Sequence, residues 1–261
     1  MIFWLNLDMR LNILKKRILI DGDILAYRAS SSVQRDIDWG DGLWTCHAFL
    51  SDAKEQFYNL SEDIINRDVF GDDEYEIIFA FSDSHNFRKD LCDGYKANRA
   101  NKRKPTCYNA LVDYIKSEHH TVQLKNLEGD DVLGIYATMD GYDSIIVSLD
   151  KDMKTIPCKF YNFGTDELIT ITQDQAKYNH MYQTLIGDVA DGYPGCPKYG
   201  PVKAKKLLDS LTPDKYWEGV VKAFESQGLT EADALLQARL SYILQDGDYD
   251  TETHEVKLWL P

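Results

Sequence analysis

Carboxylates recur at one kind of place along this 261-residue chain, directly after short apolar runs. Arg17–Ile20 ends in Asp21-Gly22-Asp23, and Glu76–Phe81 ends in Ser82-Asp83. The weaker run Thr121–Leu124 is followed by Glu128, Asp130 and Asp131, and Ser144–Leu149 by Asp150 and Asp152. Asp188 and Asp191 form a further pair at i,i+3 spacing, which shares one face if that stretch is helical. Taken singly, each acid is an ordinary helix N-cap or turn residue, and Asp23 and Asp131 suit caps. Taken together, they describe a cluster whose like charges would protonate or unfold it without a counter-ion. Mg2+ or Mn2+, hard cations that prefer oxygen ligands and bridge to phosphate, are the counter-ions such a set calls for. Two such ions about 4 Å apart can activate a water and stabilise the leaving oxygen of a phosphodiester.

The second chemical feature is a local reversal of charge. Arg88, Lys89, Lys96, Arg99, Lys102, Arg103 and Lys104 lie within His85–Lys104, opposed only by Asp90 and Asp93, a local charge of +5. Phe87 and Tyr95 are interleaved among them, and such rings can stack on unpaired bases. Alone this is a solvated basic loop. Directly after Asp83, it brings phosphate-binding cations to the mouth of the acidic cluster.

The third feature is the turn within Gly192–Leu208. Gly195 and Gly200 permit a tight turn and close backbone approach, and Pro201 suits the first turn of a helix. That helix start offers free N–H donors to a phosphate. Lys198, Lys203, Lys205 and Lys206 add +4 with no acid between Gly195 and Leu208. The combination reads as a helix–turn–helix that grips a duplex backbone without reading its sequence.

These residues need a frame to position them. The apolar runs alternate with helical stretches at Leu43–Asn66, Tyr108–Ser117 and Asp131–Thr138. That alternation predicts an α/β fold, a mostly parallel sheet flanked by helices, with ligands beyond the carboxyl ends of the strands. Phe160–Phe163 and Glu167–Ile171 flank Gly164-Thr165-Asp166 and predict a hairpin at the sheet edge. From Asp174 the chain reads as largely helical. The layout is a leader over 1–16 (with Met9 as an alternative start), a catalytic domain over 17–173 and a helical C-terminal region over 174–261.

The formal charge is −14, from 29 basic and 43 acidic residues. A field of that sign repels polyanions, but the charge is segregated, with two basic segments set apart from the acids. At 44% apolar residues the chain can bury a full core. No stretch approaches the roughly 18 consecutive apolar residues of a membrane span. Five cysteines form no CxxC pair, which reads as reduced thiols in a cytoplasm and not as a disulfide frame or zinc site. None of the six histidines has metal-ligand spacing with another, and His119-His120 reads as a surface pair.

The segments ILIDGD, FSDSHNFRKDLCDGYKANR, LEGDDVLG, SLDKDMKTI and GDVADGYPGCPKYGPVKA occur in this order. Together they resemble the 5′-nuclease (flap endonuclease) superfamily, most of all the 5′→3′ exonucleases of podovirus-type bacteriophages. The likeness runs from Ile18 through GLTEADALLQARLSYIL to the terminal LWLP. It implies a PIN-like domain with a helical arch, at about 85–120, over two divalent metal ions. It also implies a helix–three-turn–helix, at about 185–209, that holds the duplex. Residue by residue, it implies that Asp21, Asp83, Glu128 and Asp130 surround the first metal. Asp130, Asp150, Asp152 and Asp191 surround the second, with Asp131 and Asp188 acting through water. Lys96 and Arg99 of YKANR match residues that contact the scissile phosphate, and Tyr95 an aromatic position that stacks on the terminal base. Gly195 and Gly200 match turn glycines whose carbonyls hold a monovalent cation such as K+ in some relatives. The chain departs from the pattern at Asp23, beyond the aspartate-glycine core. It departs also at Ser148, where relatives commonly have glycine or threonine nearby, and at Cys196-Pro197, which interrupts a small-apolar turn.

The expected activity is divalent-metal-dependent 5′→3′ exonucleolytic cleavage, with flap endonuclease and RNase H-type activity. The expected substrates are duplex DNA with a 5′ end or flap and RNA–DNA hybrid. The expected setting is phage DNA replication or recombination in the cytoplasm of an infected bacterial host, with the protein a monomer. A haloacid-dehalogenase-type phosphatase is the alternative, because Asp21-Gly22-Asp23 resembles its nucleophile and acid, and Gly187-Asp188-x-x-Asp191 its metal motif. It leaves Glu128–Asp131 and the basic turn without a use. A non-catalytic DNA-binding relative is a third reading, opposed by acids at every matched position.

Overall fold

Strand β1 (Lys15–Asp21) is buried on both faces through Ile18, Leu19 and Ile20, as befits the centre of a parallel sheet. The computed structural model describes residues 14–99 and 102–261, so most of the leader expected over 1–16 and the choice between Met1 and Met9 lie outside the described residues. Lys15 and Lys16 open β1 and do not end a leader. The chain continues through α1 (Gly22–Ser32), β2 (Arg35–Asp38), β3 (Trp44–His47), α2 (Leu50–Ile65) and β4 (Glu76–Phe81). It then forms α3 (Arg88–Leu91), α4 (Tyr108–Glu118), β5 (Thr121–Gln123), α5 (Gly129–Thr138) and β6 (Tyr142–Ser148). An edge hairpin follows, β7 (Lys159–Asn162) and β8 (Glu167–Thr170), as the sequence predicted. Four helices end the chain: α6 (Gln173–Ile186), α7 (Pro201–Leu208), α8 (Tyr216–Glu225) and α9 (Glu231–Ser241).

The main sheet has the order β5-β4-β1-β6-β7-β8, with every pairing parallel except β7 with β8. One face carries α1, α2 and α4, whose Leu25, Phe57, Leu111 and Ile115 are fully buried. The other carries α5 through Val132 and Leu133, together with Ile243 and Leu244 after α9. A separate apolar cluster joins α6, α7 and α8 through Leu185, Leu208 and Val220. Among the described residues, no helix is long and apolar enough to cross a membrane.

Two predicted elements are corrected. The helix read over Leu43–Asn66 begins only at Leu50, because Trp44–His47 pairs antiparallel with Arg35–Asp38. Gly40, Asp41 and Gly42 all have positive φ and reverse the chain, a job that suits an Asp-Gly turn. The arch expected over 85–120 is not a helical arch among the described residues. Its first half holds the four-residue α3 and one 3-10 turn at Ala97–Arg99. Its second half is α4, packed into the core by Leu111 and Ile115.

Candidate metal centre

β4 and β5 lie to one side of β1 and β6 to the other. The strand order therefore reverses at β1, and the crevice beyond its carboxyl end is where such sheets bind ligands. Asp21, the last residue of β1, is 4% exposed. It caps α1, a role for which Asp23 was expected: its Oδ1 accepts from the Ile24 amide at 3.0 Å and its Oδ2 from Ser148 Oγ at 2.8 Å. Burial, and then the charge of Asp23, push its carboxyl up to about 7. Asp152 also sits at about 7, raised by burial and then by Asp150. Asp130 is raised by burial, then by Asp150 and Asp21. Its carboxylate accepts no hydrogen bond from any described residue. Among the described residues, none of Asp21, Asp130, Asp150 and Asp152 has a basic partner, unlike their neighbours Glu128, Asp188 and Asp191.

Across the crevice the acids are neutralised by the chain's own cations. Lys96 Nζ lies 2.6 Å from Glu128 Oε1 and 3.7 Å from Asp191 Oδ2, and Arg99 pairs with Asp191. Burial alone would raise Glu128, but Lys96 and Arg88 outweigh it and hold its carboxyl below the usual value. Asp83 accepts from the Ser84 and Asn126 amides at 2.7 and 2.9 Å, which outweigh its burial and lower its carboxyl. Asp188 and Asp191 lie in a turn closed by a bridge between Asp188 and Tyr193, not on the helical face that their spacing allowed. Asp188 Oδ1 accepts from the Ala190 amide at 2.7 Å, and its Oδ2 stands 3.9 Å from Lys151 Nζ. A cleft of about 530 Å³ is lined by Asp83 and Glu128 together with Lys89, Tyr95, Lys96 and Arg99.

Three expected site residues are spent elsewhere. Arg88 is 2% exposed and donates to both oxygens of Asp131 at 2.7 Å, so it is not a phosphate contact on the surface. Asp131 is fully buried by that pair and also accepts from the Glu128 amide at 3.2 Å, so both its oxygens are committed to protein donors. Tyr95 is 4% exposed and donates to Glu128 Oε2 at 2.8 Å, so its hydroxyl is committed to that acid. Phe87 is buried too. His119 packs against Phe57 and Phe79, so only His120 of that pair is exposed.

The remaining cations are on the surface. Lys89, Lys102, Arg103 and Lys104 are exposed, as are Lys198, Lys203, Lys205 and Lys206 around the start of α7. Gly195 is needed in that turn: its φ is +67°, and a Cβ there would meet the Gly187 nitrogen at 2.4 Å. Gly200 has open space about it and serves as the N-cap of α7. The turn is strapped to the basic segment by the Lys96 amide, which donates to the Asp191 carbonyl at 2.8 Å.

Sequence reasoning missed the supports. Asp23 accepts from the Ser82 amide at 2.8 Å and from Tyr108 Oη at 2.6 Å, fixing the loop that carries Asp83. Asn86 donates to Glu128 Oε1 at 3.3 Å. Tyr108 and Asn86 carry no signal in the sequence beyond their polar atoms.

No three acidic, imidazole or thiol side chains among the described residues converge as a ready-made cation cage. The chemistry of the donor set nonetheless fits hard cations. Oxygen ligands predominate, Asp21 is buried without a counter-charge, and Lys96 and Arg99 pair with Glu128 and Asp191.

Residues 16–181 match the model of the 5′-3′ exonuclease N-terminal, resolvase-like domain. The exonuclease of Escherichia phage T7 is 30% identical, over 94% of this chain and 93% of that protein. The exodeoxyribonuclease of Enterobacteria phage T3 is also 30% identical, over 94% and 92%. A bacteriophage T5 flap endonuclease, solved as a pseudo-enzyme–product complex with DNA and metal ions, superposes with a TM-score of 0.60. It is 14% identical, over 87% of this chain and 89% of that one, a likeness of fold alone. The sheet and flanking helices are the PIN-like fold that the sequence led us to expect, and the chain belongs to the 5′-3′ exonuclease family.

Proposed function

We propose that this chain hydrolyses phosphodiesters near the 5′ ends of duplex DNA, as a divalent-metal-dependent 5′→3′ exonuclease with flap endonuclease and RNase H-type activity. One observation carries the reading: Asp21, Asp130, Asp150 and Asp152 lie near enough to raise one another's carboxyls, have no basic partner among the described residues, and burial drives three of them toward protonation. Carboxylates held in that condition are ligands in want of a cation. Two Mg2+ or Mn2+ ions would be held by these four acids with Asp83, Glu128 and Asp191, and would supply an activated water and charge stabilisation at the phosphorus.

The chain's own residues do the rest. Lys96 and Arg99, lining the cleft beside Asp83 and Glu128, hold the phosphate and offset the charge that develops on it. Lys198, Lys203, Lys205 and Lys206 grip the duplex backbone at the α6–α7 turn. Lys89, Lys102, Arg103 and Lys104 line the path of the strand into the cleft. The reading extends to a K+ ion at the carbonyls of the Gly195–Gly200 turn, to a monomer, and to phage replication or recombination in the cytoplasm of an infected bacterial host. The phosphatase alternative requires Asp23 as a free acid, and both Asp23 oxygens are already bonded.

The test is product analysis on 5′-labelled blunt duplex, flap and RNA–DNA hybrid, with Mg2+ and with EDTA. Mg2+-dependent release from the 5′ end is expected. Hydrolysis of a small phosphate ester with no cleavage of any duplex would overturn the reading.

A further inference from the structure

We infer that Arg88 is a positioning residue for Glu128, joining the last turn of α9 and the residues after it to the cation-binding face of the crevice. All five of its N–H donors are used. Nε donates to the Leu240 carbonyl at 3.1 Å, and Nη2 to the Tyr242 carbonyl and to Asp131 Oδ1 at 2.7 Å. Nη1 donates to Asp131 Oδ2 at 2.7 Å and to Glu128 Oε2 at 3.4 Å. The main chain of Arg88 reaches the same acid by a second route. Its amide donates to Asn86 Oδ1 at 3.1 Å, and Asn86 Nδ2 donates to Glu128 Oε1. Asp131 closes the assembly by accepting from the Glu128 and Leu244 amides, both at 3.2 Å.

A buried bidentate pair by itself argues only for packing. What argues for positioning is the geometry around Glu128, whose two oxygens meet Arg88, Asn86, Tyr95 and Lys96 and are left one orientation. A lysine at 88 carries the same charge but not the planar fork, so it cannot serve Asp131, Glu128 and two carbonyls at once. Partners that orient a metal-binding carboxylate commonly change metal affinity by about 10- to 100-fold when removed. The inference rests on the reading of Glu128 as a metal ligand.

The test is calorimetric titration of the full chain with Mn2+, for wild type, R88K, E128Q and the double variant R88K/E128Q, with melting curves in EDTA. Mn2+ affinity of R88K is expected to fall about ten-fold or more. In the E128Q background the same substitution should change it little, because Arg88 acts through Glu128. R88K that melts lower yet binds Mn2+ as tightly as wild type would leave Arg88 a packing residue and overturn the inference. Additive losses in the double variant would overturn it too. Wild-type Mn2+ affinity in E128Q would instead remove Glu128 from the metal site, a distinguishable failure. If R88K does not fold, D131N is titrated in its place, and unchanged Mn2+ affinity there counts equally against the inference.

Discussion

The ammonium of Lys96 lies 2.6 Å from Glu128 Oε1, so the residue proposed to hold the phosphate rests on a residue proposed to hold a metal. Lys96 is also strapped in place through its amide to the Asp191 carbonyl, and it adopts a positive φ of 53°. Its position is therefore set by backbone as well as by charge. Lys96→Ala is expected to lower kcat by roughly 100-fold, the scale of losing one donor to a developing charge, with a smaller change in KM. Single-turnover and steady-state rates on a 5′-labelled duplex check it. A rise in KM with kcat intact would contradict the role.

The buried acids make metal binding and pH inseparable. Asp21 and Asp152 sit near 7 in the fold, against 3.8 for an ordinary aspartate. With folded values raised, their contribution to stability is fully present below about 4 and is lost as pH rises through 7. Divalent cations relieve that repulsion and compete with protons for the same oxygens. The gain in Tm on replacing EDTA with Mg2+ should therefore be larger at pH 8 than at pH 5.5. Equal gains at the two pH values would contradict a carboxylate metal site.

Tyr108 holds Asp23, and Asp23 holds the Ser82 amide beside Asp83. Tyr108→Phe leaves a partly buried carboxylate oxygen short of a donor, which costs about 1–3 kcal/mol. Denaturant unfolding should show that loss with an unchanged m-value. No loss would mean that the hydroxyl is replaceable by solvent.

The exposed lysines at the start of α7 make a separate, electrostatic prediction. Replacing Lys203, Lys205 and Lys206 together by alanine should weaken duplex binding alike for every sequence. It should also flatten the slope of log affinity against log salt by about 2–3. Binding measured from low to moderate salt decides it, and an unchanged slope would place the duplex elsewhere.

Much of the frame was legible because strand and acid recur together: Asp21, Asp83 and Asp150 each follow a buried apolar run, and the sheet topology gathers them. Of the hairpin Arg35–His47, the second strand Trp44–His47 merges in the sequence with the helix predicted over Leu43–Asn66, because its one local mark is the turn Gly40-Asp41-Gly42 before it. Arg88 and Tyr95 were misread for a different reason. Charge and aromaticity do not declare burial, and the partners that bury Arg88 lie 43 residues away at Asp131 and 152 away at Leu240. The i,i+3 spacing of Asp188 and Asp191 suits a helix and a tight turn equally, and only the bridge to Tyr193 selects the turn.

Asp130 tests the metal centre most directly, since burial and the charges of Asp150 and Asp21 raise its carboxyl and no described residue donates a hydrogen bond to it. The measurement is nucleotide release from a 5′-labelled duplex in Mg2+ by Asp130→Asn, set beside duplex binding by the same variant. Loss of release with binding largely intact is expected; release at the wild-type rate would contradict a metal site built on these carboxylates.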